Sequence, residues 1–471
     1  MLIPKYFEGK CVLITGATGF MGKALVEKLL RSCPNVCKIY VVIRTKKGQA
    51  PHERWAAITE LPLFDELKSK RPEALKKVQP IPGESTIDHF GISEEHRKEL
   101  IENVNIIYHV AASIRFTEDL PSAVLLNVKS TYTMLEMAKQ MKQFECFVHV
   151  STAYSNIEKV GQEIKEQVYD AHLDWRDMLR LSEDPVTADL LPSLQSKIMN
   201  GHANTYTLTK RLSEDTVREY SQYFPVVIMR PALVIATTED PFPGWLDGHN
   251  ALTQFADSVR CGLVRVVNTD PTKSIQLISL DLSIKAFLIA TWNVHRKGMK
   301  SGVDVYCTSL GDANEGVCLS WGLLQKHGVE IAADLPAERQ LWHPFCLLIR
   351  NPILLAVAFF FLQVIPAILL DIRAKIRGDN SKFLRLTARL YKALTGPLHD
   401  FSGMDFKFSR VNYKSLDGLL NQEDRPAFSI DQTNIDPIEL YKLNAYGMVK
   451  YAVGEDFAPD ALQKRKKRYA M

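Results

Sequence analysis

The chain has 471 residues, of which 46% are apolar and 24% charged, and its formal net charge is +4. This length allows two to four domains of about 100–200 residues each. The composition excludes collagen-like, coiled-coil and disordered chains, and the small charge excess argues against a nucleic-acid binder. Eight cysteines form no zinc-type cluster, so we expect reduced thiols and no metal. The N-terminus has no basic segment followed by an apolar core, so we expect no signal peptide.

The first predicted strand is followed by a glycine-rich turn and a helix. Cys11–Thr15 is a short apolar run, residues 16–22 read Gly-Ala-Thr-Gly-Phe-Met-Gly, and residues 23–30 have the spacing of an amphipathic helix. Such a turn binds a dinucleotide pyrophosphate, because glycines let the backbone approach it and the helix N-terminus supplies unbonded N–H groups. A tight turn without a ligand is the alternative. We predict that a cofactor contacts Gly16, Thr18, Gly19, Phe20 and Gly22.

The residue after the second predicted strand indicates which cofactor the turn would bind. Residues 39–43 form another apolar run, and Arg44 follows it, with Lys46 and Lys47 nearby. A carboxylate at this position binds the ribose 2′-hydroxyl of NAD, whereas a guanidinium pairs with the 2′-phosphate of NADP. Arg44 therefore predicts NADPH, unless these bases form only a solvated loop.

Three further apolar runs continue the alternation of strands and helices. They are residues 105–110, Cys146–Val150 and residues 225–229, and a helix is predicted for residues 120–141. Strands separated by helices indicate a doubly wound parallel sheet. Ala111 follows one of these strands, where a small residue would let the chain pass close to a cofactor, although small residues there also occur for packing alone.

Tyr206 and Lys210 are the strongest catalytic candidates. They stand four residues apart in a helical pattern, so both side chains project from one face of the helix. A neighbouring ammonium lowers the pKa of a phenol, so the pair can give a proton to a carbonyl oxygen as hydride reaches the carbon. Thr152, with Ser151 beside it, follows a predicted strand and offers a hydroxyl to the same oxygen. This spacing alone occurs by chance in many helices, but the preceding nucleotide-binding pattern favours the catalytic interpretation.

Together these motifs resemble the extended short-chain dehydrogenase/reductases and, within that class, the alcohol-forming fatty acyl-CoA reductases. The resemblance covers nearly the whole chain and includes the stretch of about fifty residues between Thr152 and Tyr206, which is longer than in most of the class. Gly83-Glu84 departs from the Gly-Asp that the family commonly has after the third strand. The matching segments are residues 15–22, 27–31, 42–44, 109–112, 127–128, 150–156, 204–210, 229–232 and 241–245.

The resemblance implies an α/β fold with three parts. These are a doubly wound parallel-sheet Rossmann domain of the extended short-chain type, a hydrophobic membrane-associating segment and a small, mostly helical C-terminal domain. It also implies NADPH-dependent reduction of long-chain fatty acyl-CoA to a fatty alcohol through a hemithioacetal and an aldehyde, as in wax and ether lipid synthesis. In this assignment Thr152, Tyr206 and Lys210 are catalytic. The further cofactor contacts are Ala111, Asn127, Lys210 and Pro231.

Two other functions are compatible with parts of this pattern. Another extended short-chain oxidoreductase, such as a membrane-bound hydroxysteroid dehydrogenase, would share the Tyr-x-x-x-Lys helix but not the long insert or the C-terminal region. A non-catalytic nucleotide-sensing scaffold would be expected to lose Tyr206 or Lys210, and both are present. The sequence therefore favours the acyl-CoA reductase.

An apolar segment predicts contact with a membrane. Sixteen of the eighteen residues from 353 to 370 are apolar, interrupted by Gln363 and Pro366, and residues 371–392 contain seven Lys or Arg against two Asp. The basic flank should face the cytosol, and the nucleotide-binding part must also be cytosolic. We therefore predict that residues 345–371 enter one leaflet as a shallow hairpin broken near Pro366; a buried core helix is the alternative. We expect the endoplasmic reticulum or, alternatively, the peroxisomal membrane.

The predicted domain division follows from these assignments. Residues 1–340 form the NADPH-binding domain with interleaved substrate-binding segments, residues 345–371 the membrane-associated segment, and residues 372–471 a C-terminal domain of the male-sterility type. The basic run at residues 464–468 either contacts anionic lipid headgroups or is simply solvated.

Overall fold

A parallel sheet forms the centre of the molecule. The computed structural model describes residues 1–248, 251–300, 302–311, 319–379, 382–395 and 401–470. The strands are β1 (Cys11–Thr15), β2 (Lys38–Ile43), β3 (Val78–Pro82), β4 (Ile106–His109), β5 (Cys146–Val150), β6 (Pro225–Pro231) and β7 (Gly302–Thr308). Their order is β7-β6-β5-β4-β1-β2-β3, and all neighbouring pairs are parallel. The carboxyl ends of the strands consequently lie at one edge.

Helices cover both faces of this sheet. Side chains alternate between the two faces of a strand, so Val12 and Ile14 enter one buried cluster while Leu13 enters the other. The doubly wound α/β fold predicted from the sequence is confirmed. The helices before the apolar segment are Ile3–Phe7, Phe20–Ser32, Pro51–Thr59, Asp65–Lys70, Glu94–Asn103, Leu120–Val124, Ser130–Ala138, Trp175–Glu183, Pro185–Met199, Thr205–Tyr220, Ala251–Arg260, Leu280–Arg296 and Trp321–Asp334.

Pairs of short strands lie outside the main sheet. One of them joins the insert after β5 to the C-terminal part of the chain. Among the described residues the pairs are Leu233–Ile235 with Leu277–Ser279, Ser274–Ile275 with Leu319–Ser320, Val266–Val267 with Leu347–Leu348, and Glu163–Ile164 with Lys407–Phe408.

The predicted elements agree with the structure except at their ends and in one helix. Both Cys11–Thr15 and Cys146–Val150 have the predicted bounds, whereas the strand expected at 225–229 continues to Pro231. The helix expected at 120–141 contains a π-helical turn, Leu125–Lys129. This turn is wider than an α-helical one and holds Asn127.

The C-terminal part of the chain packs into the same core as β1. Tyr413 and Phe428 are buried in the cluster that contains Val12. The two parts of the chain thus share one core. The division of the chain at residues 340 and 372 stays a prediction from the sequence. The C-terminal helices after the apolar segment are Phe383–Thr395, Val411–Asp417, Arg425–Phe428, Pro437–Gly447 and Pro459–Ala470.

The predicted break of the apolar segment near Pro366 is wrong. Pro352–Phe359, Phe360–Val364 and Ile365–Ile376 form one continuous helix of 25 residues. Phe360–Val364 is a π-helical turn, and its wider spacing accommodates Pro366, whose ring and missing N–H would interrupt an α-helix. By length and composition this helix could cross a membrane.

One side of this long helix lies against the protein. Phe359 and Gln363 are buried one turn apart, and the Gln363 side chain accepts a hydrogen bond from the Arg265 backbone N–H at 2.7 Å. The other side is open, with Ile353 75% and Phe361 59% exposed. The alternative prediction of a buried core helix therefore holds for one face of this long helix and not for the other.

The chain reverses direction after Gly378. The helix Phe383–Thr395 runs back along the long helix, and Tyr391 packs on Phe359 with 4.5 Å between the ring centroids. Asp371 accepts backbone hydrogen bonds at 2.6 and 3.0 Å from the start of the returning helix. A hairpin of two helices thus replaces the expected hairpin within the apolar run.

The basic tail is partly built into the protein. Arg465 is buried and donates hydrogen bonds to Glu455 at 3.0 Å and Glu338 at 3.2 Å. Lys464 and Lys467 are exposed. Arg465 therefore fits neither of the two alternatives expected for residues 464–468, contact with lipid headgroups or simple solvation.

The cysteines are spread through the fold. The seven described cysteines form no disulfide, and Cys318 lies outside the described residues. Burial raises the pKa of the Cys33 and Cys346 thiols to about 12. Both thiols are therefore protonated and unreactive at neutral pH.

Candidate active site

The turn after β1 forms a cradle from which side chains are excluded. Gly16 has a φ of +74°, and a Cβ atom there would lie 2.6 Å from the Ala111 backbone nitrogen. A Cβ atom on Gly22 would collide with the Gly16 carbonyl oxygen. Gly19 precedes the helix Phe20–Ser32, whose first N–H groups have no partner within the helix. A dinucleotide pyrophosphate fits this combination of bare backbone and helix N-terminus.

The other predicted cofactor residues lie at the same edge of the sheet in two groups. Thr18 belongs to the turn and Phe20 begins the helix after it, where the Phe20 ring packs on Trp245 with 5.6 Å between the ring centroids. Ala111 follows β4, which neighbours β1. Pro231 ends β6, three strands from β1. Pro231 therefore lies beside the end of β5 rather than at the glycine turn.

Arg44 lies at the end of β2. Its side chain is 54% exposed, and a guanidinium nitrogen is 3.6 Å from the Glu84 carboxylate. Arg54 donates a hydrogen bond to the Arg44 backbone carbonyl at 2.6 Å. Two guanidinium groups and one carboxylate therefore meet at this edge, which leaves a net positive charge there.

One helix positions both Tyr206 and Lys210. It spans Thr205–Tyr220 and begins at Asn204, whose side chain caps the first turn. The Lys210 ammonium is buried and donates a hydrogen bond to the Val150 backbone carbonyl at 2.6 Å. This bond joins the helix to the carboxyl end of β5.

Thr152 lies beside Tyr206. It follows β5, and its side chain lies close enough to the Tyr206 phenol to lower the pKa of that phenol. The Thr152 hydroxyl also accepts a hydrogen bond from the Tyr154 backbone N–H at 3.3 Å. Tyr206 is only partly buried. The structure therefore brings the three predicted catalytic residues together.

The protein keeps Tyr206 protonated, which differs from the expectation that Lys210 lowers its pKa. Burial raises the pKa of Tyr206 to about 12, and the Thr152 side chain offsets this only in part. Burial lowers the pKa of Lys210 to about 8, against the opposing charge of Glu214. The difference arises because burial of the phenol has the largest effect on its pKa. The Tyr206 phenol therefore keeps its proton at neutral pH.

A buried ion pair, which the sequence motifs did not reveal, lies behind this site. Arg230 donates hydrogen bonds to the Glu214 carboxylate at 2.6 and 2.9 Å, and Ser151 donates one to the same carboxylate at 2.6 Å. Although burial favours the neutral acid, Arg230 keeps the pKa of Glu214 below its usual value. The Ser151 hydroxyl is therefore engaged away from Tyr206. Glu214 follows Lys210 by four residues, a helical spacing that could have indicated it.

Asn127 is held by protein groups on both sides. Its side-chain oxygen accepts a hydrogen bond from the Ser113 backbone N–H at 2.8 Å, and its side-chain nitrogen donates one to the Thr209 hydroxyl at 2.9 Å. Asn127 thus connects the loop after β4 to the helix that carries Tyr206. Its contact with a cofactor stays a prediction.

Two buried histidines near Lys210 are neutral. His109 and His149, from β4 and β5, stack with 5.8 Å between their ring centroids. Burial and, after it, the charge of Lys210 lower the pKa of His109 to about 3 and that of His149 well below its usual value. Neither histidine therefore titrates near neutral pH.

Family models and known relatives match most of the chain. A model described as male sterility protein matches residues 14–287, and a second with the same description matches residues 362–455. Fatty acyl-CoA reductase 1 of Homo sapiens is 34% identical over 461 residues, covering 97% of this chain and 87% of that protein. Fatty acyl-CoA reductase wat of Drosophila melanogaster is 30% identical over 464 residues, covering 98% of this chain and 88% of that protein.

Solved structures share the fold at low sequence identity. The terminal R domain of the myxalamid PKS-NRPS pathway has a TM-score of 0.62 at 17% identity, covering 95% of this chain and 93% of that chain. The reductase domain of a nonribosomal peptide synthetase from Mycobacterium tuberculosis has a TM-score of 0.59 at 16% identity, covering 94% of this chain and 93% of that chain. At these identities the likeness concerns the fold alone.

The cradle makes a prediction about nucleotide binding. Gly16→Ala should weaken NADPH binding by at least about tenfold, because the new methyl group would force the turn away from the pyrophosphate. Gly48→Ala is a matched control, since Gly48 has a φ of +78° but a Cβ atom there meets nothing within 4 Å. Isothermal titration of both purified variants measures the difference, and equal affinities would contradict the assignment of the cradle.

Proposed function

The chain belongs to the fatty acyl-CoA reductase family, and we propose that it reduces long-chain fatty acyl-CoA to the fatty alcohol with NADPH. One observation carries the proposal. The Tyr206 phenol lies beside the Thr152 side chain, one helical turn from the buried Lys210 ammonium. A carbonyl oxygen needs hydrogen-bond donors of this kind when its carbon accepts hydride.

Two reductions at one carbon would use the same side chains. When bound, the reduced nicotinamide supplies the hydride for each reduction. Thr152 and Tyr206 hydrogen bond to the thioester oxygen, where negative charge develops. The resulting hemithioacetal expels the CoA thiol and leaves an aldehyde. In the second reduction Tyr206 gives its phenolic proton to the aldehyde oxygen.

Lys210 acts through its charge. Its ammonium is fixed by the Val150 carbonyl and is kept charged by Glu214. Placed one turn from Tyr206, it stabilises the phenolate that remains after the proton has left. It would also hold the ribose of the cofactor.

Product analysis tests the proposal directly. Purified protein supplied with palmitoyl-CoA and NADPH should form hexadecanol and oxidise two NADPH for each alcohol. Absence of the alcohol, or NADPH oxidation that does not depend on palmitoyl-CoA, would contradict the proposed function.

The role of Tyr206 predicts the effect of a single substitution. Tyr206→Phe should lower turnover at least about a hundredfold, the usual contribution of general acid catalysis, while NADPH affinity stays unchanged because the ring still packs. Tyr446→Phe, on an exposed tyrosine, is the control. Alcohol formation by Tyr206→Phe within about threefold of wild type would mean that another group donates the proton.

The preference for NADPH rests on the charge at the end of β2. Arg44→Asp should lower the ratio of kcat/KM for NADPH over NADH by about tenfold or more, since it removes a charge-assisted pair of about 1.5–3 kcal/mol and adds repulsion to the 2′-phosphate. Lys76→Asp makes the same charge change at an exposed site. An Arg44→Asp ratio equal to that of Lys76→Asp would show that Arg44 does not bind the phosphate.

We further propose that the long helix lies along one leaflet of a membrane, at the cytosolic face of the endoplasmic reticulum. Its open face carries Ile353 and Ile376 at the two ends, whereas the polar Gln363 faces the protein. The seven basic residues at positions 371–392 suit anionic headgroups. The returning helix Phe383–Thr395 brings the chain back to the side from which it left, so both flanks stay cytosolic.

This arrangement predicts both affinity and topology. Ile353→Glu should weaken binding to phosphatidylcholine–phosphatidylserine vesicles by about tenfold or more, because one buried aliphatic side chain contributes about 1.5–3 kcal/mol. Val411→Glu is the matched control, since Val411 is 73% and Ile353 75% exposed. Vesicle flotation measures both variants.

Protease added to cells with a permeabilised plasma membrane should digest tags at both termini. A protected C-terminal tag would establish a transmembrane span and contradict the one-leaflet arrangement.

A further inference from the structure

Three aromatic rings stand in a chain beside Tyr206. Phe116 lies on the loop after β4, with its ring centroid 5.9 Å from that of Tyr206. Phe401, from the C-terminal part, stacks on Phe116 at 5.2 Å, and Tyr154 meets Phe401 edge-on at 5.1 Å. All three rings are only partly buried. Tyr154 and Phe401 pack against the main buried cluster, and Phe116 connects them to the Tyr206 ring.

The residues that follow Phe401 contact other parts of the protein. The carbonyl of the buried Ser402 accepts a hydrogen bond from the Thr269 hydroxyl at 2.7 Å. Phe406 is buried and packs edge-on against Tyr154 at 5.0 Å. The Phe401 ring thus lies between a stacked neighbour, Phe116, and an edge-on neighbour, Tyr154.

The loop that carries Phe116 is held by hydrogen bonds. The Glu118 carbonyl accepts a hydrogen bond from the Thr205 hydroxyl at 3.0 Å, at the start of the helix that holds Tyr206. Earlier in the same loop, Ser113 is bonded to Asn127. Phe116 and Phe401 therefore form one apolar wall, although they lie far apart in the sequence.

Building on the proposed function, we propose that Phe401 is a specificity-determining residue that excludes acyl chains branched next to the thioester. With Phe116 and Tyr154 it packs against the first carbons of the chain while the carbonyl oxygen is held by Tyr206. A packed wall accepts a straight methylene chain but has no space for an added methyl group. One methylene in such a pocket changes discrimination by about 10–200-fold.

A competition assay tests this role. Wild type and variants receive equal amounts of palmitoyl-CoA and 2-methylpalmitoyl-CoA with NADPH, and the ratio of branched to straight alcohol is measured by gas chromatography. Phe401→Ala should raise this ratio by about tenfold or more, and Phe401→Trp should lower it. Phe457→Ala is the matched control: Phe457 is a partly buried C-terminal aromatic that packs on Tyr446 at 6.4 Å and should leave the ratio unchanged.

The results of this assay distinguish failure of the proposed function from failure of the proposed role of Phe401. No alcohol from wild type with either substrate would overturn the proposed function. An active wild type, with ratios within about twofold in both Phe401 variants, would overturn the role of Phe401 alone. If Phe401→Ala does not fold, Phe401→Trp and the milder Phe401→Leu still decide the question, because each changes the volume of the wall in a known direction.

Discussion

The buried ammonium of Lys210 is the charge around which the proposed site is arranged. An ammonium in such a place is costly unless it is hydrogen bonded and compensated. The Val150 carbonyl provides the hydrogen bond at the end of β5, Glu214 provides the compensating charge, and Arg230 holds Glu214 in turn. Because the strands are parallel, this charge and the bare turn at Gly16 lie at the same edge of the sheet. The proposed proton donor and the glycine turn thereby lie at the same edge of the sheet.

The C-terminal part of the chain packs against both the main core and the aromatic ring beside Tyr206. It contributes Tyr413 and Phe428 to the core around β1 and extends Phe401 to the ring chain beside Tyr206. The long apolar helix precedes it and is tied to the nucleotide-binding part through Gln363. The long helix therefore contacts the part of the chain that carries Arg265, and the aromatic rings connect the C-terminal part to Tyr206.

Local patterns predicted the strands, the glycine turn and the Tyr206 helix, because hydrophobic period and turn chemistry are properties of neighbouring residues. They did not reveal the pair between Glu214 and Arg230, which forms only where a helix meets a strand. The rule that proline breaks helices gave a wrong prediction at Pro366. The helix continues through this residue because a π-helical turn directly precedes it. Helical spacing predicted that Lys210 lies beside Tyr206. It did not predict the direction of the Lys210 ammonium, which is set by the hydrogen bond to the Val150 carbonyl at the end of β5.

The pH dependence of kcat/KM for palmitoyl-CoA reduction tests the central role of the Lys210 charge most directly. Burial lowers the pKa of Lys210 to about 8, so the ammonium predominates below that pH and is lost above it. The pKa of Tyr206 near 12 and that of His109 near 3 lie outside this window. We predict that kcat/KM falls as the pH rises through about 8, with NADPH saturating throughout. A kcat/KM that stays constant from about pH 7 to pH 9.5 would contradict this account.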